Sequence, residues 1–214
     1  MSAHTLPTLS RAVEGRYAGL ASSCCSLSCG EALDLAAPGT GETLVDLGSG
    51  RGQDVIRAAG RVGSSGRAIG VDATEAMLEK ARASVPPFLA NASFVKSDLA
   101  ALDLPDGIAD VVISNCTINH APDKEAVYRE IFRILRPGGR FVVSDVIAEE
   151  ELPEAVRRDP EAWAACYGGA IPEPDYLGAV ARAGFGSAEV LHRTEPYEKG
   201  GVMVRSLTIR GRKT

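Results

Sequence analysis

No stretch of this 214-residue sequence approaches the ~18 consecutive apolar residues of a membrane-spanning helix. The first residues, MSAHTLPTLSRAVEGRY, lack the charged start and apolar run of a secretory signal. No basic block occurs. Lys and Arg total 23 against 28 Asp and Glu, a formal charge of −5, which argues against a dedicated nucleic-acid binder. No internal repeat or low-complexity segment is visible. The five cysteines are an odd number, so reduced thiols in a cytoplasm are expected rather than a disulfide framework. What is present is an ordinary globular composition, 45% hydrophobic and 24% charged. At ~150 residues per domain, the length suits one domain with a sizeable core and a small appendage.

Residues 1 to about 40 have weak periodicity and read as a short helix or arm followed by an irregular loop. A regular rhythm then begins. Thr43–Leu47, Ala68–Val71 closed by Asp72, Ser93–Lys96, Asp110–Ser114 and Arg140–Ser144 are short apolar runs that read as strands. Between them, Asp54 to Val62 is helix-like, and Thr74 is placed to cap a helix carrying Met77, Leu78 and Ala81. Asp123 is placed to cap another, in which Val127, Ile131, Ile134 and Leu135 keep helical spacing until Pro137-Gly138-Gly139. Alternation of this kind predicts a doubly wound, mostly parallel sheet with helices on both faces. Helical segments near Glu161 to Cys166 and Asp175 to Ala183 follow. Strand candidates near Ala188 to His192 and Val202 to Ile209 bring the expected sheet to seven strands.

Gly48-Ser49-Gly50-Arg51-Gly52 follows the first strand and opens the first helix of that rhythm. Glycine allows a sharp turn and close approach of a ligand to the main chain, and the free amides of the helix start face that ligand. Asp72, twenty residues after Gly52, ends the second strand, where a carboxylate can accept from two ribose hydroxyls. The loop is one residue shorter than the G-x-G-x-x-G dinucleotide pattern. Asp46, on its approach, would repel a pyrophosphate but suit an amino-acid ammonium. An adenosyl amino acid therefore fits better than a nicotinamide dinucleotide. Ser97-Asp98 ends the third strand, where Asp98 is placed to accept from an adenine amine, and Ser114-Asn115-Cys116 ends the fourth.

The runs VDLGSGRGQD, GVDATEAMLEKAR, SDL and RILRPGG together resemble a class I S-adenosylmethionine-dependent methyltransferase, with a Rossmann-like fold, over residues 43 to about 146. The resemblance implies S-adenosyl-L-methionine as cofactor. It implies Asp46, Gly48 and Gly50 at the methionine part, Asp72 and Met77 beside the ribose and adenine, Asp98 and Leu99 at the adenine, and Asn115 closing the site. Ser49, Gln53, Ala73, Ser97 and Cys116 complete the implied cofactor set. The chain then divides into an arm with a cysteine-containing loop (1–40), a cofactor-binding core (41–148), and substrate-side helices with the last strands of the same domain (149–214).

The remaining cysteines bear on the methyl acceptor. A single cysteine is often a small buried hydrophobe. Cys24-Cys25 followed by Cys29-Gly30 in a Ser/Gly-rich loop makes a poor core and suits a soft metal or metalloid. Cys25 and Cys29 have a zinc-like spacing, but no second pair follows, so no resident metal is expected. SSCC, LSCG, ISNCTINHAPDKEAV and WAACYGGAIPEPDY further resemble the arsenite methyltransferase family, through most of residues 20 to 185. The resemblance implies a trivalent arsenic substrate held by Cys29, Cys166 and either Cys24 or Cys25, and a thiol reductant of thioredoxin or glutathione type as partner. Two readings compete. One is an O-, N- or C-methyltransferase of a small organic metabolite, similar to the quinone-biosynthesis enzymes, with His120 as base. The other is a non-catalytic binder of a thiophilic ion or of S-adenosylmethionine. Glu149-Glu150-Glu151 reads as a solvated turn.

Overall fold

The computed structural model describes residues 6–21 and 31–214. Thr43–Leu47 forms β1, and β-branched and leucine residues buried on both faces make it a central strand. It is flanked by β2 (Arg67–Asp72) and β4 (Ala109–Asn115), both parallel to it. Outside these lie β3 (Ala92–Lys96) on β2 and β5 (Leu135–Ala148) on β4, also parallel. The first five strands therefore run in the order β3-β2-β1-β4-β5, and the order reverses at β1/β4. Such a reversal opens a crevice beyond the carboxyl ends of the strands.

Alternate residues of each strand feed different layers. Leu44, Val111, Ile113 and Val142 pack with Leu33, Val55 and Ala58 on one side. These partners come from α2 (Ala32–Ala36) and α3 (Gln53–Val62). Val45, Val112, Phe141 and Val143 face Val127, Ile131 and Tyr176 on the other. Those belong to α5 (Lys124–Ile134) and α8 (Glu173–Val180). The period-2 pleat is thus what separates the two helical layers. The remaining helices are α1 (Leu6–Leu20), α4 (Glu75–Ser84), α6 (Glu154–Arg158) and α7 (Pro160–Ala164). Helix α1 lies against both α4 and α7, bridging the two sides of the crevice.

Several expectations are corrected. The sheet has eight strands, not seven. Beyond β5 lies β8 (Val202–Arg212), antiparallel to it, and then β6 (Glu189–Arg193). The added strand is β7 (Tyr197–Lys199), hairpinned to β8 through Gly200-Gly201, both at positive φ. Three residues are too short to show alternation, although a Gly-Gly pair is a hairpin signal. Thr74 stands at the start of α4 but makes no side-chain cap; its amide is instead held by Asp72 Oδ1 at 2.8 Å. Asp123 does cap α5, accepting from the Ala126 amide at 2.9 Å. Leu135 opens β5 rather than ending the helix, and the Pro137-Gly138-Gly139 turn interrupts that strand's register. Helix α7 ends at Ala164, two residues short of Cys166, which turns into the left-handed region at φ 66°.

Candidate functional site

Strand β1 ends where the chain must turn sharply into α3. Gly48, at φ 74°, packs so tightly on Thr117 that a β-carbon there would lie 2.1 Å from Thr117 Oγ1. Gly50, at φ 50°, is the opposite case, because a β-carbon on it would meet no heavy atom within 4 Å. The loop is thus locked underneath and open above, as close approach of a ligand to the backbone requires. Its Gly50 amide donates to Asp72 Oδ2 at 2.9 Å. Both oxygens of Asp72 therefore already orient main-chain groups.

Three carboxylates converge below this loop. Asp46 is 4% exposed, and burial, then Asp54 and Asp72, pushes its pKa well above the usual carboxylate range. Burial also raises Asp72, against the backbone hydrogen bonds from Thr74 and Gly50. Asp54 is braced by Arg57 at 2.9 Å and by Asn115 Nδ2 at 3.2 Å. Ser49 Oγ is buried without a hydrogen-bond partner among the described residues. A cluster of buried acids and an orphaned hydroxyl fit a cationic, hydrogen-bonding ligand such as an amino acid bearing a sulfonium.

The other residues expected at the cofactor divide by position. Gln53, Ala73 and Asp98 are exposed, and Ser97, Leu99 and Asn115 are half-buried near the same strand ends. Asp98 Oδ1 accepts from the Ala100 amide at 2.8 Å, and Ser97 Oγ donates to Ala101 O at 3.0 Å, so both also shape their own turn. Met77 is fully buried, at 0% exposure.

The thiol side lies past β4. Cys116, expected beside the cofactor, is in the left-handed region at φ 55° and adjoins Thr117, the residue that closes on Gly48. Ile118–His120 then makes a single 3₁₀ turn. Cys166 Sγ lies 3.3 Å from His120 Nε2 and 3.2 Å from Tyr17 Oη, and the last two are 3.1 Å apart. The Tyr17 and His120 rings meet edge to face, with centroids 5.4 Å apart. Burial raises the Tyr17 hydroxyl's pKa, and the nearby Cys166 thiol adds to that. Burial lowers His120 to about 4, leaving it neutral. Below, Asn119 Nδ2 donates to the Cys166 carbonyl at 3.3 Å and its amide donates to Asp145 Oδ2 at 3.1 Å. Burial raises Asp145 to about 6 and lowers its neighbour Lys124 to about 8. Cys24, Cys25 and Cys29 lie outside the described residues. Tyr17 and Asn119 are the contributors that pattern reading missed; a tyrosine in a weakly periodic arm and an asparagine in a one-turn helix carry no motif.

Among the described residues no helix is long and apolar enough to cross a membrane. Residues 39–201 match the methyltransferase domain family. The arsenite methyltransferase of Halobacterium salinarum is 40% identical over 173 residues, covering 80% of this chain and 44% of that protein. That of Aquipseudomonas alcaligenes is 39% identical over 196 residues, covering 86% and 54%. The chain thus spans about half the length of these curated relatives. The crystal structure of an arsenic(III) S-adenosylmethionine methyltransferase from Chlamydomonas reinhardtii superposes with a TM-score of 0.76 at 29% identity, over 93% of this chain and 74% of that one. This chain, with the fold of S-adenosylmethionine-dependent methyltransferases, thus belongs to the methyltransferase domain family.

Proposed function

We propose that the protein is an S-adenosylmethionine-dependent methyltransferase acting on trivalent arsenic held by cysteine thiolates. The observation that supports this reading is that Cys166 Sγ lies 3.2 Å from Tyr17 Oη and 3.3 Å from His120 Nε2, on the turn that follows β4, where Cys116 adjoins the Thr117 that locks the glycine loop. Soft thiols on this side of the cofactor loop suit a thiophilic acceptor. The names of the relatives, arsenite methyltransferases at 39–40% identity, support the same acceptor.

When bound, S-adenosylmethionine supplies an electrophilic sulfonium methyl, for which the lone pair of trivalent arsenic is a nucleophile with no proton to lose. Asp46 and Asp72 hold the cationic and ribose parts, Gly50 lets the backbone approach, and Asp98 and Leu99 flank the adenine. Cys166 and Cys116, with Cys29 and one of Cys24 and Cys25 from the preceding loop, are the thiols available to arsenic. Each thiol that replaces an arsenite hydroxyl forms an S–As bond, and its proton leaves with the hydroxide as water. With arsenic fixed by sulfur, the chain's task is positioning and exclusion of water rather than base catalysis. A neutral His120 with a pKa of about 4 suits that division of labour poorly as a general base and well as a hydrogen-bonding group. Restoring trivalent arsenic and free thiols needs a thiol reductant, which fits a reducing, cytoplasmic setting.

Incubation of purified protein with S-adenosylmethionine, arsenite and a thiol reductant, followed by arsenic speciation, tests the assignment. Methylated arsenic formed in proportion to enzyme is expected. No methylated arsenic, with transfer instead to a phenolic or quinol acceptor, would move the organic-acceptor reading ahead.

A further inference from the structure

Three polar atoms close a triangle at the end of α7: Tyr17 Oη, His120 Nε2 and Cys166 Sγ, with sides of 3.1, 3.2 and 3.3 Å. They come from residues separated by as many as 149 positions, on α1, the 3₁₀ turn after β4, and the loop after α7. The backbone of Cys166 is fixed independently. Its amide donates to Trp163 O at 3.0 Å, its carbonyl accepts from Asn119, and its φ of 66° is one that a non-glycine residue adopts only under external constraint. Main chain and side chain are therefore held by separate sets of partners. The sulfur has no freedom that would be needed merely for packing.

We propose that Tyr17 and His120 are positioning residues that aim the Cys166 sulfur into the crevice for the arriving metalloid. This rests on the arsenite reading above. Tyr17 Oη and His120 Nε2 each present one polar atom to sulfur from a different direction, and each also touches the other. Two directions fix the sulfur about the Cα–Cβ bond, and the third side of the triangle braces the two supports against each other. Small misalignment of a ligating atom moves arsenic off the line of methyl transfer, so aim is worth more than any one hydrogen bond. Among the described residues no side-chain hydrogen bond joins Tyr17 or His120 to the glycine loop or to Asp46, Asp54 or Asp72, so the cofactor side is expected to be independent of this device.

The test uses the full chain, with Tyr17→Phe, His120→Ala, His120→Gln and the Tyr17→Phe/His120→Ala double variant. Arsenite alone, without cofactor, is titrated against the emission of Trp163, the single tryptophan of the chain, whose carbonyl bonds to the Cys166 amide. Kinetic constants for arsenite and the affinity for S-adenosylmethionine are measured in parallel. Tyr17→Phe and His120→Ala should each weaken arsenite binding and raise its KM at least tenfold, with cofactor affinity within twofold of the parent. His120→Gln, whose amide nitrogen reaches near the ring Nε2 position, should recover most of the loss. The double variant should lose less than the product of the singles, as expected for groups acting as one unit. Independently of arsenic, the ¹⁵N resonance of His120 Nε2 should move in Cys166→Ala and in Tyr17→Phe. A His120 resonance indifferent to both changes overturns the proposal, as does unchanged arsenite binding in the single variants. Loss of kcat alone in His120→Ala, with binding intact, would make His120 a base and also overturn it. If the parent itself binds no arsenite while the resonance responds as expected, the arsenite reading fails, and the purpose given to the triangle fails with it.

Discussion

One asparagine ties three elements together. Asn115 Nδ2 donates to Asp54 Oδ2 at 3.2 Å, and its Oδ1 accepts the Ala32 amide at 3.4 Å. The end of β4 is thereby joined to the first turns of α3 and α2. Asn115→Ala should loosen α2, whose other anchors include the Asp34 ion pairs with Arg57 and Arg61, Arg61 on the Leu33 carbonyl and Arg140 on the Ala36 and Ala37 carbonyls. Loss of two partly buried hydrogen bonds costs ~1–3 kcal/mol. Faster amide exchange confined to Ala32–Ala36, with the rest of the sheet protected, is the expected pattern. Uniform loss of protection would mean that the asparagine supports the whole domain.

The buried acids give stability and binding opposite pH dependences. Burial first, then Asp54 and Asp72, raises Asp46 above its ordinary 3.8 in the folded chain. A raised carboxyl binds its proton more tightly in the folded state, so its contribution to stability is complete below pH ~4 and is lost as pH rises through the folded value. A cationic ligand relieves that cost. The thermal shift produced by S-adenosylmethionine should therefore grow with pH across this range. Asp46→Asn should be more thermostable than the parent at pH 7 without ligand, yet bind the cofactor at least tenfold more weakly, at ~1.5–3 kcal/mol for a charge-assisted contact. Calorimetry and thermal unfolding at matched pH read both signs.

Gly48→Ala meets two obstacles at once: a positive φ and Thr117 at 2.1 Å from the added carbon. Strain and overpacking together cost about 1–3 kcal/mol. Removing the atoms in the way should return part of this, so Gly48→Ala/Thr117→Ala should be more stable than Gly48→Ala. Denaturant midpoints of the three proteins decide whether the threonine is the obstacle.

The thiols should separate from the cofactor in their effects. Cys166→Ser and Cys116→Ser should each lower arsenite methylation ~10²-fold, the scale of a small misplacement of the reacting group. Affinity for S-adenosylmethionine should hold in Cys166→Ser. Cys29→Ser should follow Cys166→Ser, and Cys24→Ser and Cys25→Ser should differ from one another if a single thiol from that pair is used. Arsenic speciation and cofactor calorimetry on all five single variants provide the check.

The inner strands of the parallel half were legible because they are buried on both faces and write unbroken apolar runs, as in Val111–Ile113, while the edge strand β3 is only part-buried. The glycine loop and Asp72 were legible because phosphate-free nucleoside sites put fixed residue types at fixed spacing. The thiol side was not. Cys116 stands next to Asn115 at the end of β4, and no local pattern tells which groups its thiol meets. Met77 stands in its expected motif on α4, with its side chain buried. Contacts such as Tyr17 with Cys166 join residues 149 positions apart, and no local pattern encodes a meeting at that distance.

The strand order has a consequence for the sequence of events during synthesis. Strands β2 to β5 each enter the sheet beside a neighbour already made, β2, β3 and β5 after a helix and β4 after a loop. The antiparallel edge cannot follow that schedule. β6 and β7 precede β8 in the chain, yet their ladder partner is β8, which lies between β6 and β5. Until Val202–Arg212 emerges, β5 presents an unsatisfied edge from Arg140 to Ala148, and β6 and β7 have no neighbour. The nascent chain therefore passes through a stage with its nucleoside crevice framed but one flank open. That flank is where a chaperone or a second nascent chain would find unpaired backbone.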